Sequence, residues 1–225
     1  MIQALPHCGT QFFNYKRHNS IVLMALADYN YCFTYIDVGC NGIVSDGGVF
    51  KNSSLYQALE DGLLPRGHCI IGDNAFPLKT YLTKPYNTLP LSKEKIFNYR
   101  LSRARRVIEN AFGILVSRSR VLDKKIACNL STTDKIVKTC CAIHNWLRKT
   151  DSKVYLMPGS VDEENIDTGE IIPGRWRLEV TEMRNTSIQQ PTASRSCRLA
   201  REYRDYIKRY VKNEGAVPWQ ESRIH

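Results

Sequence analysis

Ser20 to Val38 reads SIVLMALADYNYCFTYIDV. Two runs rich in β-branched, aromatic and aliphatic residues, Ser20–Ala27 and Cys32–Val38, flank Asp28-Tyr29-Asn30. Asp and Asn bend the chain readily because their short side chains bond nearby backbone groups, so this stretch predicts an antiparallel hairpin. Downstream, SDGGVF at Ser45–Phe50 reads as a turn, and Ser53–Leu64 carries apolar residues at 55, 58, 59 and 63, a helical spacing. Cys69-Ile70-Ile71 then reads as a short strand ending at Gly72-Asp73. Lys95–Val121 predicts a long amphipathic helix, with apolar residues at 97, 101, 104, 108, 111, 112 and 115. Thr132–Leu147 predicts another, with Ser131 as its N-cap. Asp151 to about Thr192 has acids, glycines and prolines without a sustained period and is expected to be a loop or linker; Arg195–Lys212 is expected to be a basic helix packing back on the core. The order of elements predicts an α/β fold divided at 1–150, 151–192 and 193–225.

A chain of 225 residues, 43% of them hydrophobic, can bury one sizeable core, so one domain plus a tail is expected. No apolar run approaches the ~18 residues of a membrane-spanning helix. Met1–Phe13 lacks a basic start followed by an apolar run, so no secretory signal is expected and the expected compartment is intracellular. The eight cysteines are accordingly expected to be reduced. None forms a Cys-x-x-Cys pair, and Cys140-Cys141-Ala142-Ile143-His144 reads as buried small side chains rather than a zinc site.

The net charge of +10 is unevenly placed. Lys95–Lys149 holds thirteen Lys/Arg against three acids, whereas Asp151–Glu170 holds six acids against one Lys. A basic surface beside an acidic stretch suits a polyanion partner. Two acids stand out. Asp73 follows an apolar strand, where open α/β sheets tend to place their sites, but it could equally cap the segment that follows. Glu109 lies about 20° from Ser102 and 40° from Arg105 and Gly113 around its helix, at the edge of the apolar stripe. It could instead be half of an Arg105–Glu109 surface pair, while Gly113 leaves room for another element or a ligand. Asp46 in Ser-Asp-Gly-Gly is also explicable as turn chemistry.

Several motifs occur in a fixed order: Asn14-Tyr15-Lys16 with Ser20, Ser45-Asp46-Gly47-Gly48-Val49-Phe50, Gly72-Asp73-Asn74-Ala75-Phe76-Pro77-Leu78, Asn98–Arg103, Val107-Ile108-Glu109-Asn110-Ala111-Phe112-Gly113 and Cys140–Leu147, closed by Gly215-Ala216-Val217-Pro218-Trp219-Gln220. Together they resemble the nuclease domain of Harbinger transposases and Harbinger transposase-derived nucleases. The resemblance implies a DDE superfamily endonuclease domain at 1–150 with an RNase H-like mixed sheet flanked by helices, followed by a long loop and a C-terminal helix. It implies Asp73 and Glu109 as catalytic acids, Asp46, Asp73 and Glu109 as ligands of Mg²⁺ or Mn²⁺, and phosphate contacts from Arg103, Arg105, Arg106, Arg118 and Arg120. Two such ions, ~4 Å apart, stabilise the attacking and leaving oxygens of an in-line phosphodiester displacement, and hard ions of this kind prefer carboxylate oxygen. It further implies DNA as substrate, a Myb/SANT-like DNA-binding partner, and residence in the nucleus, with the cytoplasm as a second compartment. In the family an Ile-Asp-Gly segment carrying the first acid lies just before the stretch matching Ile2–Pro6, and this chain starts after it. The expectation is therefore an impaired metal-dependent nuclease; the alternative is a catalytically inactive DNA-, chromatin- or protein-binding derivative.

Overall fold

The computed structural model describes residues 1–2, 12–14, 18–87, 92–165, 167–179 and 196–223. The elements in chain order are β1 (Ile21–Ala27), β2 (Phe33–Asn41), α1 (Asp46–Lys51), α2 (Ser54–Glu60), β3 (Ile70–Ile71), β4 (Leu82–Thr83), α3 (Ser92–Arg118), α4 (Leu130–Thr150), α5 (Ser152–Tyr155), β5 (Glu163–Glu164), β6 (Ile171–Ile172), α6 (Trp176–Glu179) and α7 (Arg198–Lys212). The chain divides into two units, each assembled from separated stretches: Met1–Ser45, Val107–Glu163 and Ile172–Asn185 form the first, and Asp46–Arg106, Glu164–Ile171 and Thr186–His225 the second. Helix α3 begins in the second and ends in the first. Among the described residues the strands pair as three two-stranded sheets, β1–β2, β3–β4 and β5–β6, where the sequence predicts one mixed sheet. The physical reason is length: β3 and β4 offer only two residues each. Residues Tyr15 and Lys16 of the first motif lie outside the described residues.

In the first unit the expected hairpin forms. Asp28 Oδ1 accepts from the amides of Asn30 and Cys32, closing the turn. The register carries Val22 opposite Cys40 and Leu23 opposite Val38, so Gly39 is an extra residue. Its φ of 108° is one a side chain would resist, which is why a glycine stands there. Phe33 anchors the hairpin in a core with Ala111 and Leu115 of α3 and Val137 and Cys141 of α4. Helix α4 also binds the strand through backbone: Asn145 Nδ2 donates to the Phe33 carbonyl at 2.7 Å and its Oδ1 accepts the Phe33 amide at 2.8 Å. His144, buried one residue earlier, donates from Nε2 to the Tyr31 carbonyl at 2.8 Å and meets the Tyr155 hydroxyl through Nδ1 at 2.8 Å. Burial lowers the pKa of this ring. The α4 cap is Asn129, not Ser131: Asn129 is extended and its side chain accepts from the Thr132 amide at 2.8 Å. Ser131 already lies inside the helix.

The segment expected to be a loop carries α5, β5, β6 and α6 in its described part. Pieces of two to four residues have no readable period, and their stability comes from distant partners. Trp176 is the clearest case: buried, it lays its indole where a Cβ on Gly113 would fall, 2.1 Å from the ring. Its N–H donates to Asn110 Oδ1 at 2.7 Å, which also accepts from the Asp162 amide. The room at Gly113 is thus filled by another element of this chain.

In the second unit Ser53 caps α2 by accepting from the Tyr56 amide at 3.1 Å. β3 and β4 run parallel, with Ile70 beside Leu82 and Ile71 beside Thr83. Ile96, Phe97 and Leu101 of α3 are buried in this unit. The closing motif packs on the same half-helix: Arg100 Nη1 donates to the Gly215 carbonyl and to Gln220 Oε1, and the Arg103 guanidinium stacks 3.7 Å from the ring centre of buried Trp219. Helix α7, slightly shorter than expected, places Arg204 over the Tyr86 ring at 3.8 Å.

Candidate functional site

Asp46 and Asp73 come together in the second unit. Asp46 opens α1, and the next residue allows the approach: a Cβ on Gly47 would lie 2.6 Å from the Ala75 carbonyl oxygen. Phe50, a turn further along α1, packs edge-on against Phe76 at 5.6 Å between ring centres and fixes the Asp73–Leu78 loop against it. Asp73 divides its two oxygens. Oδ1 accepts from the Ala75 amide at 2.9 Å, so the local capping role is real, while Oδ2 lies 3.7 Å from Arg105 Nη2. Burial raises the pKa of Asp46, and the charge of Asp73 raises it further. Two carboxylates sharing a partly buried volume resist joint ionisation.

Lys84 belongs to this environment, although nothing in the sequence singles it out. Its Nζ donates to the Asn74 carbonyl at 3.2 Å, and its pKa is lowered by burial and by Arg204 against the opposing pull of Asp73. Its only sequence signal is that it follows β4, the strand paired to the one that delivers Asp73.

Glu109 lies in the first unit and has a cation for company. Arg177 Nη2 stands 3.7 Å from its carboxylate. The expected surface partner, Arg105, instead neighbours Asp73. Arg177 is held in place by Asp162, whose two oxygens receive Nε at 2.8 Å and Nη2 at 2.5 Å, and its guanidinium lies over the Trp176 ring at 4.4 Å. The Asp162 bond is the main reason the Arg177 pKa is raised. Sequence reading missed Arg177, since it lies in a stretch without a period and its contacts depend on Trp176 seating against Gly113.

The candidate phosphate-binding arginines differ in availability. Arg103 and Arg106 both pair with Glu164, Arg106 at 2.6 Å, and Arg103 also stacks on Trp219. Arg118 donates to the Tyr155 carbonyl at 3.2 Å. Arg105 is half-buried beside Asp73, and Arg120 is exposed.

The oxygen-rich Asp46–Asp73 pair fits a hard divalent ion, which would relieve the repulsion that raises the Asp46 pKa. A third ligand is not assembled: among the described residues no group of three or more His, Cys, Asp or Glu side chains is placed to hold a metal.

Residues 2–145 match the family described as DDE superfamily endonuclease. The chain is 28% identical over 144 residues to "Protein ALP1-like" of Arabidopsis thaliana, covering 58% of this chain and 36% of that protein. It is 28% identical over 137 residues to "Putative nuclease HARBI1" of Homo sapiens, covering 60% and 39%, and 28% identical over 180 residues to the Bos taurus protein of the same name, covering 75% and 51%. The chain thus spans 36% to 51% of the length of these relatives. No solved structure matches it. The matched span contains Asp46, Asp73 and Glu109 and extends over more than half of the sequence, so the chain belongs to the DDE superfamily endonuclease family.

Proposed function

We propose that the chain is a divalent-metal-dependent nuclease domain that acts on DNA phosphodiester bonds, with Asp46 and Asp73 as the carboxylates for Mg²⁺ or Mn²⁺ and Glu109 as the third acid. The observation that carries this reading is the approach of Asp46 to Asp73, allowed by Gly47 lying against the Ala75 carbonyl, within the family-matched span. When bound, such ions polarise the phosphoryl oxygens and stabilise the nucleophile and leaving group. Asp73 is oriented for a ligand's role by its bond from the Ala75 amide, which leaves the other oxygen directed toward Arg105. Arg105 and Lys84 supply positive charge for a phosphate beside that carboxylate. An RNase H-like arrangement, a nuclear location and a Myb/SANT-like DNA-binding partner belong to the same reading.

Arg177 favours a second reading. A guanidinium beside Glu109 occupies the electrostatic place a metal would fill, as expected of a DNA-binding derivative without catalysis. Nicking of supercoiled plasmid separates the two. The nuclease reading expects cleavage that requires Mg²⁺ or Mn²⁺ and falls to background in Asp73→Asn. Cleavage unchanged by that substitution overturns the site; DNA retention without cleavage under either metal supports the inactive derivative.

A further inference from the structure

Helix α7 places six Lys/Arg and two acids in fifteen residues, and the fold sorts them by side. Ala200 is buried, and Arg204 and Lys208 are turned to partners in the same unit: Arg204 over Tyr86, Lys208 to Asp205 at 2.9 Å and Glu94 at 3.8 Å. The remaining surface is different. At about 100° per residue, Arg201, Lys212, Arg198 and Arg209 share an arc of about 80° that also holds Asp205, and beyond Glu202 it continues through Tyr206, Leu199 and Tyr210. Among the described residues the side chains of Arg201 and Arg209 have no ion-pair or hydrogen-bond partner, and Arg198 has only exposed Glu202. Such an exposed pair contributes little. Tyr206 stacks on Tyr203 at 6.3 Å between ring centres and the Tyr210 ring lies against Gly215, yet Leu199, Tyr206 and Tyr210 remain 63%, 56% and 50% exposed, so packing uses only part of this stripe.

A cationic stripe beside a stripe of solvent-facing rings has a specific chemical complement. Phosphates satisfy the arginines, and unpaired bases offer flat faces to the tyrosines. Tyr206 and Tyr210 are one turn apart, about 6 Å along the axis, so each can take a separate base. A duplex hides its base faces, and an acidic peptide offers charge without flat rings. We propose that the outer face of α7 binds single-stranded nucleic acid, with Arg198, Arg201 and Arg209 on phosphates and Tyr206 and Tyr210 stacked on bases. The surface involves neither Asp46, Asp73 nor Glu109, so it stands or falls separately from the nuclease reading.

The test is fluorescence anisotropy of a labelled 20-nucleotide oligo-dT with the full chain in EDTA, titrated with salt. Binding is expected to weaken steeply with salt. Arg201→Glu/Arg209→Glu is expected to weaken it about tenfold or more and to flatten the salt dependence. Tyr206→Ala/Tyr210→Ala is expected to weaken it about fivefold or more per tyrosine, with the salt dependence unchanged. All four side chains lie on the outer face, and unchanged circular dichroism checks that folding is intact; if a double variant misfolds, Arg201→Glu and Tyr206→Ala alone give the same readout. Double variants that bind like the native chain overturn the proposal. So does loss in the arginine variant with none in the tyrosine variant, or preferential competition by polyglutamate or by phosphatidylserine vesicles.

Discussion

Asp73 and Glu109 each have a guanidinium 3.7 Å away, yet what surrounds each pair differs. Asp73 has another carboxylate for a neighbour, and that neighbour's pKa is raised by burial and by their shared charge. Glu109 has Arg177, itself fixed by Asp162. In the first setting burial and the repulsion of two carboxylates raise the Asp46 pKa even with Arg105 beside Asp73, which invites an added cation; in the second the guanidinium is anchored beside Glu109 by its two bonds to Asp162. Two acids that look alike in a motif can therefore differ in what they lack, and that difference comes from which distant side chains the fold delivers to each.

Metal-dependent melting probes the contrast most strongly. Mg²⁺ or Mn²⁺ at a hundred times its dissociation constant is expected to stabilise the native chain by about 2.7 kcal/mol through mass action. Asp73→Asn should abolish the rise in melting temperature. Glu109→Gln should leave it in place if Arg177 is the resident partner of Glu109. A shift lost equally in both variants would show that Glu109 shares the ion and would erase the distinction.

The first unit can be broken without touching an acid. Gly113→Ala puts a methyl group where the Trp176 ring lies, and forcing that contact is expected to cost about 1–3 kcal/mol. Arg177, stacked on Trp176, should move with it. Thermal unfolding measures the cost. A Gly113→Ala chain as stable as the native one would mean that Trp176 does not hold this segment, and with it Arg177, against α3.

The legibility of the molecule follows the range of its interactions. The β1–β2 hairpin was readable because Asp28, the alternating strands and the turn are all local. The long helix α3 was readable from its period. The α4 cap was misplaced by two positions because Ser131 and Asn129 are both good caps, and only backbone geometry chooses between them. Residues 152–179 were illegible for a different reason. Their short elements exist because Trp176 reaches Gly113 and Asn110, and Arg177 reaches Asp162, contacts that leave no period behind. The setting of Glu109 was hidden with them.

Asp46 offers the smallest but most diagnostic effect, because its sign alone decides. A carboxylate at the start of a helix is usually favoured by the helix dipole, which would make its removal harmful. Here burial and the charge of Asp73 act the other way and raise its pKa above the ordinary 3.8. For an acid shifted upward by folding, the stabilising contribution belongs to the protonated form: it is complete below the unfolded value and is lost as pH rises through the folded value. At neutral pH the ionised Asp46 is consequently a cost. Asp46→Asn removes that charge, so in EDTA at pH 7 the variant is expected to melt above the native chain. The gap should close as pH falls through the raised folded value toward the ordinary 3.8, because the folded chain takes up the Asp46 proton first. Adding Mg²⁺ should reverse the order, since only the native chain keeps both carboxylates for the ion. If Asp46→Asn melts below the native chain in EDTA at pH 7, the helix dipole outweighs the repulsion, and the Asp46–Asp73 pair has no deficit of positive charge for a metal to fill.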